Sequence, residues 1–285
     1  MLSPAELNLL SRLDLGYRRP VSGLYAGERR SPRAARSPEF SDFRPYVSGD
    51  DFRQIDWRAY ARLERLMLRL YVAEEETSLN VVLDASASML VGEPPKWPPA
   101  RRLAAALAFL GLASMDRVAV GVLGDRKLRT PHLRGKEGVA RIWAFLDAIE
   151  PRGAAGPGML TELDWPRPGM TVVISDFMTE DSWAGAAAGL RRRRQEPLLW
   201  QLLAPDEENP VISGDWKLIE AESEQARELT ITPTLVAEYL SNLARHRAGL
   251  RRAAEGAGGR LLASLSSQDL EAQMLTGLTA GVIRR

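Results

Sequence analysis

The sequence predicts an α/β protein built on a mostly parallel sheet with helices on both faces, and three observations carry that reading. Strand-like apolar runs alternate with helical segments from about residue 77 to the end, the pattern of β-α-β units. Two of those runs, Thr77 to Asp84 (TSLNVVLD) and Met170 to Ser175 followed by Asp176, are continuous, rich in β-branched residues and closed by an acid. Runs of that kind suit strands buried on both faces. Between them, Ala100 to Met115 (ARRLAAALAFLGLASM) is apolar and alanine-rich, as a sheet-covering helix should be.

The elements follow in order. The opening MLSPAELNLLSRLDLGYRRP carries acids inside its apolar pattern and reads as a short amphipathic helix, not a signal peptide. Residues 18–40 mix Arg, Pro, Ser and Gly without periodicity and predict a loop or partly disordered arm, either a solvated linker or a clamp for an acidic surface. Ser48-Gly49-Asp50-Asp51 is a turn and helix-cap signal, and Leu66 to Val72 reads as a strand. Asp50, Asp51, Asp56, Arg53 and Arg58 surround Trp57, predicting a salt-bridged cap with that ring buried against the sheet domain. After the central strand and helix come a strand over Arg117 to Leu123, a companion over Lys127 to Leu133, a helix over Lys136 to Ile149 and a Gly/Pro loop over Gly153 to Gly158. Trp183 to Arg194 predicts a helix, Pro197 to Leu203 a strand, and Trp216 to Ile231 a polar hairpin. Thr234 to Glu255 is a long helix whose Gly256 to Gly259 cluster suits a C-cap. A strand over Arg260 to Leu265 and a helix over Gln268 to Leu278 close the chain. The expected organisation is a helix and arm over 1–42, a capping segment over 43–76 and the sheet domain over 77–285.

Composition narrows the chemistry. A net charge of +1 argues against a bulk electrostatic nucleic-acid binder. The chain has no cysteine and only His132 and His246, which excludes thiolate chemistry and a multi-histidine metal site. A metal site would need oxygen ligands, which favour Mg²⁺, Mn²⁺ or Ca²⁺. No apolar stretch approaches the roughly 20 residues a spanning helix requires, and a cytoplasmic protein is expected.

Asp84 and Asp176 stand at strand ends, where open α/β sheets bind ligands. Asp84 opens Asp84-Ala85-Ser86-Ala87-Ser88, a D-x-S-x-S pattern that can turn one carboxylate and two hydroxyls toward one point as a partial shell for a hard cation. Helix capping by the same residues is the plain alternative. No phosphate-binding loop, dinucleotide fingerprint or nucleophile elbow occurs. The two histidines read as surface residues.

The stretch FRPYVSGDDFRQIDWRAYARLERLMLRLYVAEEETSLNVVLDASASM closely resembles the signature of the bacterial and archaeal domain of unknown function 58 family. Its elements are Tyr46, Gly49-Asp50-Asp51, Arg53, Ile55-Asp56-Trp57, Ala61-Arg62, Arg69, Glu75 and Asp84-x-Ser86-x-Ser88-Met89, with weaker similarity reaching the C-terminal helix. The resemblance implies a von Willebrand factor A-like fold with a metal-ion-dependent adhesion site. Carried over, Asp84, Ser86, Ser88 and Asp176 are the metal ligands, with Thr161 as the candidate threonine of the neighbouring loop. That loop departs from the family form in having Glu162 after the threonine and little helix following it; the arm has Ser31-Pro-Arg-Ala-Ala-Arg36 where a glycine-rich form is expected. Members are commonly encoded beside MoxR-type AAA+ ATPases, so the resemblance implies an adaptor or co-chaperone of such an ATPase, with Mg²⁺ (or Mn²⁺ or Ca²⁺) as cofactor, and not an enzyme. Rival readings are a metal-dependent hydrolase or phosphotransferase at the same acids, with Asp84 as nucleophile or ligand, and a structural domain with a vestigial pocket.

Overall fold

The computed structural model describes residues 2–16, 24–26, 39–72, 78–179, 181–219, 221 and 226–284. The chain divides into two compact units, residues 18–76 and residues 1–17 with 77–285.

The chain enters through α1 (Pro4–Leu10), capped by a Ser3–Glu6 capping box, and β1 (Asp14–Leu15). The smaller unit follows. β2 (Leu24–Ala26) and β3 (Glu39–Pro45) flank β4 (Met67–Val72) in an antiparallel sheet of order β2-β4-β3. Between β3 and β4 lie a 3-10 turn capped by Asp51 and helix α2 (Trp57–Leu63), whose first N–H groups donate to Asp56. Arg44 grips Asp50 through both guanidinium nitrogens at 2.7 Å. These acids therefore serve as caps and a turn lock. Trp57, expected to be buried, is 61% exposed, because Asp56 starts the helix with that ring on its outer side. Parts of the expected arm are strand, at 24–26 and 39–40; the remainder, with Ser31 to Arg36, and Glu75 of the signature lie outside the described residues.

The larger unit holds the predicted sheet. β5 (Ser78–Asp84) leads through a 3-10 turn to α3 (Trp97–Ala113), β6 (Arg117–Leu123) and the short β7 (Leu128–Arg129). Helices α4 (Lys136–Asp147) and α5 (Pro157–Glu162) precede β8 (Gly169–Ser175). Then come α6 (Ala184–Arg192), β9 (Gln195–Leu203), α7 (Pro205–Glu208) and the exposed hairpin β10 (Gly214–Ile219) and β11 (Ala226–Ile231). The chain ends with α8 (Pro233–Gly256), β12 (Arg260–Leu265), α9 (Leu270–Thr279) and β13 (Ile283–Arg284), the last paired with β1. Strand order is β12-β9-β8-β5-β6-β7, parallel except for the edge β7. This is the doubly wound order, and it gives the mostly parallel sheet with helices on both faces expected above.

Both faces are dry. Val81, Leu83, Val172 and Ile174 pack with Leu103, Leu107 and Leu110 of α3 on one side. Val82, Val173 and Leu199 pack with Leu160, Trp183 and Leu190 on the other. α3 starts three residues before the expected Ala100, since Pro98 and Pro99 fit a first turn that needs no N–H. No helix among the described residues is long and apolar enough to cross a membrane.

One polar seam interrupts the second face. Asn80 donates to Thr171 Oγ1 (3.2 Å) and Gln195 Oε1 (2.9 Å), and its own oxygen lies 3.1 Å from His132 Nε2. His132 is thus half-buried and not the surface residue expected. Burial, then the charges of Arg129, Arg167 and Arg117, hold it below the ordinary histidine pKa, with Asp164 opposing. The unfolded chain takes up this proton first, so stability is present above the unfolded pKa of about 6.5 and falls as pH drops through it. Lowering pH from about 7.5 to about 5.5 should lower the urea midpoint, and His132→Gln should flatten that loss. Equal pH slopes in parent and variant would remove His132 as its source.

Candidate metal centre

β5 and β8 are neighbours at the centre of the sheet, where the winding reverses. From β5 the chain winds toward β6 and β7; from β8 it winds toward β9 and β12. The crevice beyond the carboxyl ends of such a pair is the ligand-binding position of doubly wound sheets. Asp84 and Asp176 emerge there, both almost fully buried.

On the β5 side, Asp84 Oδ1 accepts from Ser86 N (2.8 Å) and Ser86 Oγ (2.7 Å), and Ser86 Oγ lies 2.9 Å from Ser88 Oγ. Backbone bonds fix the loop: Ala85 N donates to Leu123 O, Arg152 N donates to Ala85 O, and Ala87 N donates to Gly153 O. Ser86 occupies the cap position of the following 3-10 turn yet makes no side-chain cap bond. Of the capping alternative, the Asp84 Oδ1 bond to Ser86 N is present, while the Ser86 hydroxyl turns to Asp84 and Ser88 instead.

On the β8 side, Ser175 Oγ donates to Asp84 Oδ2 at 2.6 Å and accepts from Phe177 N at 2.8 Å. Asp176 Oδ1 accepts from Met178 N (3.0 Å), and Oδ2 accepts from Lys96 Nζ (2.8 Å). The same ammonium also binds the Glu207 carboxylate, and Lys96 is only 1% exposed. A second tier holds these groups. Gln201 Nε2 donates to Asp176 O, Arg247 Nε donates to Gln201 Oε1, and Arg247 pairs with Glu208. Tyr239 Oη donates to Glu207 O, and His246 Nε2 lies 2.9 Å from Phe177 O.

Burial, and next the charge of Asp176, push the Asp84 carboxyl up to about 6, against the hydrogen bonds from Ser175 and Ser86. Burial also works against the Lys96 ammonium, but the charges of Asp176 and Glu207 outweigh it and hold that pKa above the ordinary lysine value. Glu207 is raised by burial, with Lys96 opposing. Three buried or half-buried carboxylates thus face one ammonium, and Asp84 touches no cation.

This donor set fits a small divalent ion. The Asp84, Ser86 and Ser88 oxygens are hydrogen-bonded to one another at 2.7 and 2.9 Å, and oxygen donors of this kind suit a hard cation such as Mg²⁺. Asp176 and Glu207 pair with Lys96, whereas Asp84 is held by hydroxyl and amide donors and pairs with no cation among the described residues. Among the described residues, no group of three or more His, Asp or Glu side chains could hold a metal, so an ion here would rest on the serine hydroxyls, one or two acids and water.

Four of the five expected ligands converge on the crevice. The fifth, Thr161, sits in α5 and donates its hydroxyl to Gly158 O at 2.7 Å within that helix. No hydrogen bond joins it to the other four among the described residues. The Gly/Pro loop also turns helical one residue before Gly158, and no helix follows Glu162 before β8 begins at Gly169.

Lys96, Glu207 and Ser175 were missed. Lys96 had a signal, since a lone cation among EPPKWPP precedes a helix whose N-terminus disfavours positive charge. Such a cation needs acidic partners. Glu207 in PDEEN had none that separates it from Asp206 and Glu208.

Comparison with known proteins gives consistent kinship. The family described as "Protein of unknown function DUF58" matches residues 42–249. The uncharacterized proteins Rv1480 of Mycobacterium tuberculosis and Mb1516 of Mycobacterium bovis are each 29% identical over 270 residues, covering 91% of this chain and 84% of theirs. Among solved structures, an aerotolerance-related membrane protein from Bacteroides fragilis is 16% identical with a TM-score of 0.47, covering 72% of this chain and 98% of that one. BatB from Bacteroides thetaiotaomicron is 15% identical with a TM-score of 0.45 and the same coverage.

Ser175→Ala would leave Asp84 Oδ2 and Phe177 N without their shared buried partner. The expected loss is about 1–3 kcal/mol in urea unfolding, with the m-value unchanged. An unaltered midpoint would show that the Ser175 hydroxyl does not hold the two loops together.

Proposed function

The chain belongs to the DUF58 family, and on that premise we propose that it is a protein-interaction module whose contact point is a divalent cation at the crevice between β5 and β8. The observation that carries this reading is the Asp84–Ser86–Ser88 cluster of oxygens at the sheet's reversal point, hydrogen-bonded to one another and paired with no cation among the described residues. Asp84 and the two serines would hold Mg²⁺, or Mn²⁺ or Ca²⁺, with Asp176 beside them. The ion would supply a positive centre with open positions for an acidic side chain of a partner.

The chain's own residues prepare that contact. Ser175 donates to Asp84 Oδ2 while Ser86 donates to Oδ1, and the backbone bonds at Ala85 and Ala87 hold the serine loop in place. Apolar surface adjoins it in sequence: Leu90 and Val91 directly follow the serine loop, Met178 follows Asp176, and all three are exposed. An acid flanked by apolar side chains is the kind of partner such a surface suits. The family resemblance points to a MoxR-type AAA+ ATPase as that partner, with this chain as adaptor or co-chaperone.

The test is binding of a MoxR-type ATPase in Mg²⁺ and in chelator. Asp84→Asn keeps the shape of the side chain but removes its charge, and it should lower Mg²⁺-dependent binding by about 100-fold or more, the weight of a buried charge-assisted contact. Undiminished binding of the variant, or equal binding by the parent in chelator, would place the contact elsewhere.

A further inference from the structure

We propose that Lys96 is a built-in counter-cation that sets the divalent-ion affinity of this site, by sharing Asp176 with the ion and handing charge to Glu207 when the ion arrives. The inference rests on the ion-site reading above and extends it to a residue outside the ligand set.

The placement of Lys96 is what requires explanation. Its ammonium is fully buried at the start of α3, where the helix end offers no favourable field for a cation and makes no cap bond to its side chain. It is kept there by two carboxylates on two different loops, Asp176 after β8 and Glu207 in α7. A buried ammonium between two acids is satisfied while both are ionised, and it can shift its charge toward either one. Asp176 is the acid that also faces Asp84, so any cation bound at Asp84, Ser86 and Ser88 approaches the oxygen system that Lys96 holds. Repulsion between that cation and the ammonium weakens ion binding, and Glu207 relieves it by giving the ammonium a second anchor.

The surrounding groups fit this role. Glu207 cannot swing away, because its second carboxylate oxygen accepts from Ala204 N at 2.8 Å and its carbonyl is held by Tyr239. Asp176 is likewise pinned, by Met178 N on its side chain and by Gln201 on its backbone oxygen. The neighbouring Glu208 is occupied by Arg247 and does not compete for Lys96. The ammonium is therefore shared between two acids that are each held in place. In the ion-free protein it also ties the loops after β8 and β9 together, so the crevice keeps its shape without metal.

Two substitutions with opposite expected signs test this. Lys96→Met removes the positive charge and should tighten Mn²⁺ binding, measured by titration calorimetry on the full chain, by about tenfold or more. It should also lower the melting temperature in chelator and restore it in Mn²⁺, a rescue larger than the parent shows. Glu207→Gln leaves Lys96 committed to Asp176 alone and should weaken Mn²⁺ binding several-fold. Should Lys96→Met fail to fold, the Glu207→Gln result decides by itself. Affinities within twofold of the parent in the folded variants overturn the role of Lys96 while leaving the ion site standing. If neither parent nor variants take up Mn²⁺ or Mg²⁺, the ion-site reading falls, and this inference with it.

Discussion

Keeping two like charges buried at the reversal point of a sheet is the constraint around which this molecule is organised. Asp84 and Asp176 leave adjacent parallel strands, where the backbone itself supplies few spare donors and both side chains are buried. Buried carboxylates survive only when donors or cations satisfy them. Each acid is satisfied differently. Asp84 takes hydroxyl and amide donors from Ser86 and Ser175, whereas Asp176 takes an ammonium. The site is consequently asymmetric, with the unmet charge on the Asp84 side.

That asymmetry explains several features with no obvious packing purpose. Lys96 interrupts a proline-rich, apolar lead into α3, and α7 is a single acidic turn placed directly after β9. The polar face of α8 supplies Tyr239, His246 and Arg247, each bonded to the loops that carry Phe177, Gln201, Glu207 or Glu208. A helix that would otherwise only cover the sheet thus buttresses the crevice. The rest of the sheet provides rigidity: dry layers on both faces hold β5 and β8 in a register that puts Asp84 beside Ser175.

The polar seam of Asn80, Thr171, Gln195 and His132 lies nearer the opposite ends of the same strands. Its side chains bond to one another, with Gln195 Nε2 donating to the Arg167 carbonyl, and it carries no carboxylate, which suits a fixed core feature better than a binding site. Two strands therefore carry polar groups at both ends, but only the carboxyl ends expose them to a loop-lined crevice.

The sequence by itself determined the fold class, the order of nearly every element and the two acid-bearing strand ends, because each of these is encoded locally. Apolar β-branched runs specify buried strands, alanine-rich runs specify covering helices, and a D-x-S-x-S loop needs only five consecutive residues to bring its oxygens together. Only the tertiary structure decided what completes the site. Lys96 reaches Asp176 across 80 residues and Glu207 across 111, and Ser175 reaches Asp84 across 91. Tertiary structure likewise turned the acids around Trp57 into helix caps and an Arg44 clasp, with the ring itself exposed. Such pairings depend on strand order and on which loops meet at the sheet's edge. No spacing along the chain records them, since side chains distant in sequence become neighbours only once the parallel strands have aligned their ends.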